Sequence, residues 1–301
     1  MPDPNQLKAQ GLSLAATRLV WGSRTYIMGI LNLTPDSFSG DGLLETSDSV
    51  QAAVAQADAF AKAGADLLDI GGESTRPGAE TVDAEQEIAR VVPVVAALAE
   101  RHPLPISIDT SKASVAAAAL DAGAAWVNDV WALRADPQMA PLLAERQVPV
   151  ILMHNRLTPN SAELAERLGG RYVGVEYDDL LGDIKAELMY SVDIALDAGI
   201  DPTRIVLDPG IGFGKTVPQS LELLDRLEEI RSLGFPLLIG PSRKSFIGFT
   251  LDLPPDDRVE GTAAAVAVGI ARGADIVRVH DVAPMVRVAR MTDALVRRPK
   301  N

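Results

Sequence analysis

Leu207 to Thr216 reads LDPGIGFGKT, a carboxylate followed by three glycines, a lysine and a threonine. Those residue types at close spacing are the materials of a phosphate cradle. A nucleotide-binding P-loop, however, is G-x-x-x-x-G-K-[ST], and counting back from Gly214-Lys215-Thr216 the first glycine is replaced by Pro209. The dinucleotide pattern G-x-G-x-x-G fails as well, because Lys215 stands in its third glycine position. The stretch therefore asks for a chemistry other than nucleotide binding. Polar groups of the same kind follow each short apolar run: Asn32, Asp69, Asp109, Asn128 with Asp129, His154, Asp208, the PSRKS loop, and Arg278 with His280. Any single Asp or Asn there reads equally well as the cap of a following helix. Eight such positions are harder to explain as caps alone. Two polar loops rich in Gly, Pro, Ser and Thr, NLTPDSFSGDG (32–42) and GGESTRPGA (71–79), have the composition of loops that carry function.

The apolar runs that must position these groups are YIMGIL (26–31), DLLDI (66–70), PISID (105–109), WVND (126–129), PVILM (149–153), RIVLD (204–208), PLLIG (236–240) and DIVRV (275–279). Between them lie Ala-rich segments with helical spacing, such as SVQAAVAQADAFAKAG and AEQEIARVVPVVAALAER. Strand and helix in alternation imply a parallel sheet, and eight strands point to a single-domain α/β fold, the (β/α)8 TIM barrel. An open doubly wound sheet shows the same alternation, but the strand count favours the barrel. Gly64, Gly123, Gly199, Gly234 and Gly273 each stand just before the next strand, where a left-handed cap turns the chain back. Residues 1–25 form an N-terminal segment in which LSLAATRLVWGS suggests a hairpin closing the barrel base, and 26–298 form the barrel.

The chain of 301 residues is 47% hydrophobic and carries a net charge of −13. Such a charge opposes broad contact with nucleic acid or anionic lipid, so positive charge for an anionic substrate has to be concentrated locally. The absence of cysteine excludes thiol catalysis, disulfides and Cys-ligated metal. With no signal-like start and no apolar stretch long enough for a membrane span, the expectation is a soluble cytoplasmic protein.

Taken in order, ILNLTPDSFS, DLLDIGGESTRPGA, ISIDTSK, WVNDV, LMH, LDPGIGFGKT, IGPSRKSFIG and RVHDV resemble the dihydropteroate synthases of folate biosynthesis, from about Tyr26 to Ala294. The resemblance implies a (β/α)8 barrel that condenses 6-hydroxymethyl-7,8-dihydropterin diphosphate with p-aminobenzoate, releasing diphosphate, with Mg2+. It places Asp109, Asn128, Asp208 and Lys244 on the pterin, with Phe213 and Met153 lining the ring; for Met153 core packing is a nearly equal reading. It gives the diphosphate to Arg278, His280, Thr75 and Asn32, the last also offering its amide oxygen to the metal. The p-aminobenzoate, and sulfonamides in its place, fall to Ser37, Phe38, Thr75, Arg76 and Pro77 of the first two loops, to Ser242 and to Lys244, with Asp36 holding Arg76. Asp109 is expected to stabilise a developing cation, making Asp109, Lys244, Arg278 and His280 the catalytic group. Arg243 reads equally as a contact or as loop structure.

Two departures stand out: TPDSFSGDG where the family usually has TPDSFSDGG, and MHNRLTPNS where it often has MHMQGTP. The second leaves loop five without assigned contacts and His154 a weak candidate. Two other readings share the pterin pocket. Methyltetrahydrofolate–corrinoid methyltransferases do not need TPDSFS or STRPG, and a non-catalytic pterin-binding paralogue does not need the intact Asn32, Thr75, Arg76, Lys244, Arg278 and His280. GTAAAVAVGIARGADIV has the character of a helix face that pairs with a second copy, so a homodimer is expected.

Overall fold

A computed structural model describes residues 12–14, 17–33, 46–74, 82–156, 162–165, 168–172 and 176–297. Two short strands, β1 (Leu12–Leu14) and β2 (Thr17–Leu19), pair antiparallel. The barrel strands follow: β3 (Tyr26–Asn32), β4 (Leu67–Gly71), β5 (Ile106–Asp109), β6 (Trp126–Asp129) and β7 (Val150–Met153). A second antiparallel pair, β8 (Ala162–Ala165) and β9 (Gly169–Tyr172), precedes β10 (Ile205–Asp208), β11 (Leu238–Ile239) and β12 (Ile276–Val279). The eight barrel strands are all parallel, in the order β10-β7-β6-β5-β4-β3-β12-β11. A parallel bridge between Leu207 and Leu237 joins the two ends, so the sheet is a closed barrel, not an open one.

Strand periodicity builds the barrel in layers. Leu67, Trp126, Ile151, Val206, Leu238 and Ile276 point inward, and with Met28 and Tyr26 they form a buried core separate from the larger one beneath the helices. Two residues further along each strand the side chain again faces inward, which brings Asp69, Asn128, Met153, Asp208, Gly240 and Arg278 to the next level. A polar ring therefore sits on an apolar plug. Leu19 and Trp21 close the opposite end, with Trp21 edge-on to Tyr26 at 5.9 Å between ring centroids and the Tyr26 hydroxyl accepting from Val20 N–H at 2.7 Å.

Local chemistry fixes the helices that carry this sheet. Asp83 caps the helix Ala84–Arg101 by accepting from Gln86 N–H at 2.8 Å, with Glu85 and Glu87 in the first turn. Thr216 and Gln219 form a reciprocal capping box at the start of the helix Val217–Asp225. The five glycines before the strands all have φ between 92° and 113°. PLLIG yields only two strand residues because Pro236 and Pro241 bracket it, and proline has no N–H for the ladder.

Candidate active site

Arg278 is the hub of the polar ring. From β12 its Nε donates to Asp69 Oδ2 on β4 and its Nη2 to Asp109 Oδ2 on β5 at 2.7 Å. Asp69 Oδ2 also accepts from Asn128 Nδ2 on β6 at 3.1 Å. One guanidinium thus ties three strands directly and a fourth through Asp69, and two carboxylates share it. Burial raises the Asp109 pKa to about 7 against the pull of Arg278, and the carboxylates hold the Arg278 proton more firmly than in water. Asp129 is turned away from this ring: it accepts from the N–H groups of Trp131 at 2.8 Å and Leu133 at 2.7 Å, which makes it the cap of its own turn.

Across the mouth, Asp208 ends β10 and receives Gly210 N–H at 2.7 Å. Burial raises its pKa, opposed first by Lys244. Lys244 lies at the start of the helix Ser245–Leu251; burial lowers its pKa to about 8, while Asp208 acts the other way. Its ammonium donates to Ile211 O and lies 4.4 Å from the centre of the Phe213 ring. A carboxylate, a cation and an aromatic face are therefore grouped at the mouth, and Met153, buried at the end of β7, lies in register beside Asp208.

The loop Pro209–Gly214 owes its path to its glycines. Gly210 has φ +68°, and a Cβ there would lie 1.9 Å from His154 O; Gly214 has φ +56°, and a Cβ would lie 2.6 Å from Arg156 O. Lys215 does not reach into the mouth. It turns under the loop and is 2% exposed.

His280 follows β12 beside Ser242, whose hydroxyl accepts His280 N–H at 3.1 Å and lies 3.0 Å from Nδ1. With the Ser242 hydroxyl donating to Nδ1, neutral His280 carries its proton on Nε2 and is a donor there. Arg243 is a loop residue: it forms a two-pronged pair with Asp281 at 2.7 and 2.9 Å. At the base of the second loop, Glu73 accepts Val82 N–H at 3.0 Å and Lys112 Nζ at 2.5 Å, and Lys112 also donates to buried Glu87 at 2.6 Å.

The sequence profile described as "Pterin binding enzyme" matches residues 28–280. A dihydropteroate synthase from Clostridium beijerinckii is 48% identical over 92% of this chain and 96% of its own. A crystal structure of dihydropteroate synthase from Clostridium difficile, determined in the presence of pteroic acid, superposes with a TM-score of 0.84 at 46% identity, covering 92% of this chain and 99% of the other. The Xanthomonas albilineans synthase with 4-aminobenzoic acid gives a TM-score of 0.82 at 42% identity, covering 94% and 96%. This chain belongs to the dihydropteroate synthase family of pterin-binding enzymes. Its chemistry is that of a transferase in folate biosynthesis.

Among the residues expected from the synthase resemblance, the structure brings Asp109, Asn128, Asp208, Lys244, Phe213, Met153, Arg278, His280, Ser242 and Asn32 to the C-terminal end of the barrel. Ser242 is turned to His280. Asp36, Ser37, Phe38, Thr75, Arg76 and Pro77 lie outside the described residues. Three participants go beyond the roles assigned from sequence: Asp69 and Lys215, which had none, and His154, a weak candidate. Asp69 is the first partner of Arg278; its signal is the inward register, two residues past Leu67. Lys215 and His154 form a buried pair at 2.9 Å, and only the fold brings them together.

Proposed function

We propose that this rim joins 6-hydroxymethyl-7,8-dihydropterin diphosphate to p-aminobenzoate, giving 7,8-dihydropteroate and diphosphate. The observation that carries the reading is the polar ring itself: Asp208 and Lys244 face Asn128, Asp109 and Arg278 at the positions where the family's motifs fall. Asp208 accepts from the amino and N–H groups of the pterin, a charge-assisted pairing, and Asn128 and Lys244 fix the ring's orientation. The bond from the exocyclic methylene to the diphosphate oxygen breaks, and its electrons leave with the diphosphate. Arg278 and His280 stabilise that departing charge, while the Asp109 carboxylate faces the cation left on carbon. The aromatic amine then forms the new C–N bond and loses a proton. No covalent enzyme intermediate is needed.

The residues present fit a Mg2+ ion. Asn32 Oδ1 and Asp109 Oδ2 both stand beside Gly71, at 3.9 and 3.8 Å from where a Cβ would lie; Asp109 Oδ2 is held by Arg278, which leaves the Asn32 amide oxygen as the hard donor, and Mg2+ takes most of its shell from water and phosphate. Asn32 would hold the ion, which would neutralise charge on the leaving diphosphate. The p-aminobenzoate, or a sulfonamide in its place, is assigned to Ser37, Phe38, Thr75, Arg76 and Pro77 with Lys244. Val268 on the helix Val259–Ala271, and Met291, Leu295 and Val296 on the helix Val282–Val296, are exposed and support a homodimer. No described helix is long and apolar enough to cross a membrane, and a cytoplasmic location accords with the lack of cysteine. The test is to incubate the protein with the pterin diphosphate, p-aminobenzoate and Mg2+ and follow diphosphate. Release that depends on the amine is the expected result; none would sink the reading.

A further inference from the structure

Lys215 is a buried ammonium with no part in the reaction as written above. Its three N–H groups meet three acceptors: His154 Nδ1 at 2.9 Å, Gly210 O at 3.0 Å and Phe213 O at 3.0 Å. His154 Nε2 lies 3.0 Å from Glu187 Oε2, and Glu187 Oε1 accepts from Arg156 Nε at 3.0 Å. Burial pulls the Lys215 pKa well down, but the partners decide the proton count. A neutral amine has only two N–H groups, and its lone pair would need Nδ1–H as donor. The other ring nitrogen would then turn a lone pair on the Glu187 carboxylate. An ammonium beside an Nε2–H imidazole satisfies every contact; a neutral amine does so only beside an imidazolium, and burial, then Lys215, holds the His154 pKa down at about 4.

The loop that Lys215 braces has no ladder of its own. Apart from one turn bond, Phe213 N–H to Gly210 O at 3.0 Å, its carbonyls are taken by side chains: Gly210 and Phe213 by Lys215, Ile211 by Lys244, and Gly214 by the Tyr177 hydroxyl at 2.9 Å. The Phe213 ring and Ile211 O are where the loop meets Lys244. We propose that Lys215 and His154 are positioning residues for the pterin half of the site: the ammonium, held by His154 and Glu187, sets the Gly210–Phe213 carbonyls and so places Phe213 and Lys244. This rests on reading Phe213 and Lys244 as pterin contacts.

The test compares His154→Leu, His154→Asn, Lys215→Met and Phe213→Ala with the unaltered enzyme in steady-state kinetics, with folding checked by circular dichroism. His154→Leu and Lys215→Met are expected to raise KM for the pterin diphosphate about tenfold or more, with KM for p-aminobenzoate and kcat within about threefold. His154→Asn, whose Oδ1 takes the place of Nδ1 as acceptor, is expected to recover most of the loss. If Lys215→Met does not fold, the two His154 variants decide. Equal shifts in both KM values and kcat, or no shift in a folded His154→Leu, overturn the proposal. If Phe213→Ala raises KM for the pterin diphosphate and His154→Leu does not, only the brace fails. If Phe213→Ala leaves that KM unchanged, the pterin assignment itself fails.

Discussion

Replacing Arg278 by Met tests whether one guanidinium holds two carboxylates inside the barrel. Methionine keeps much of the apolar stem but removes the donors to Asp69 and Asp109. Breaking a buried pair by removing one partner costs about 3–5 kcal/mol, because the charge left behind has neither water nor counter-ion. At roughly 2.1 cal/mol/K of unfolding entropy per residue, a chain of 301 residues changes Tm by about 1.6 °C per kcal/mol, so the loss is about 5–8 °C. The pH dependence is the sharper part. Burial already raises Asp109 to about 7 with Arg278 present, and without the guanidinium it must rise further. A carboxyl with a raised folded pKa binds a proton that the unfolded chain does not. Its contribution is full below the unfolded pKa and is lost as pH rises through the folded one. The variant therefore falls further below the parent at pH 8 than at pH 5, where Asp109 is neutral. Thermal unfolding of both proteins at the two pH values measures this. A Tm difference of the same size at pH 5 and pH 8, or no difference at all, refutes the account of the shared guanidinium.

His154 gives the opposite sign. Burial, then Lys215, lowers its pKa to about 4, so the native state takes up a proton less readily than the unfolded one; stability is intact above about 6.5 and falls by about 3 kcal/mol as pH drops to 4. Urea unfolding across that range should show a smaller acid loss in His154→Leu than in the parent, and parallel curves would contradict the assignment. Ser242→Ala removes the hydroxyl that sets the His280 ring; kcat/KM for the pterin diphosphate is expected to fall about fivefold, the worth of one oriented hydrogen bond, and an unchanged value would show that His280 needs no such hold.

The barrel was legible because each strand announces itself twice, by an apolar run and by the polar residue that ends it. Asp109, Asn128 and Asp208 fall on the inward register for the same reason that Trp126 and Val206 do. What stayed hidden was pairing. Asp69 and Arg278 are 209 residues apart, and although the register of DLLDI turns Asp69 inward, nothing local says which cation it meets. Sequence assigns Lys215 no role, because it shows the glycines and the lysine but not the direction of the side chain. Thr216, the last letter of the apparent P-loop, is a helix cap. The lysine's side-chain partner, His154, follows a strand end, and His154 is in turn held by Glu187 from the helix Leu180–Asp197.

The closure of the barrel has a mechanical consequence. Seven of its eight seams are ladders, whereas β10 meets β11 through the single bridge Leu207–Leu237, backed by Leu207 N–H to Pro236 O at 2.9 Å. This thin seam opens at the rim between Asp208 on one lip and Lys244 on the other, joined by the Lys244 contact to Ile211. In the proposed pterin site, a flat ring gripped from both lips would act as a suture, making the ligand a structural member of the wall. Amide exchange at Leu207 and Leu238 should then be the fastest of any barrel strand in the empty enzyme, and should slow most when the pterin is bound.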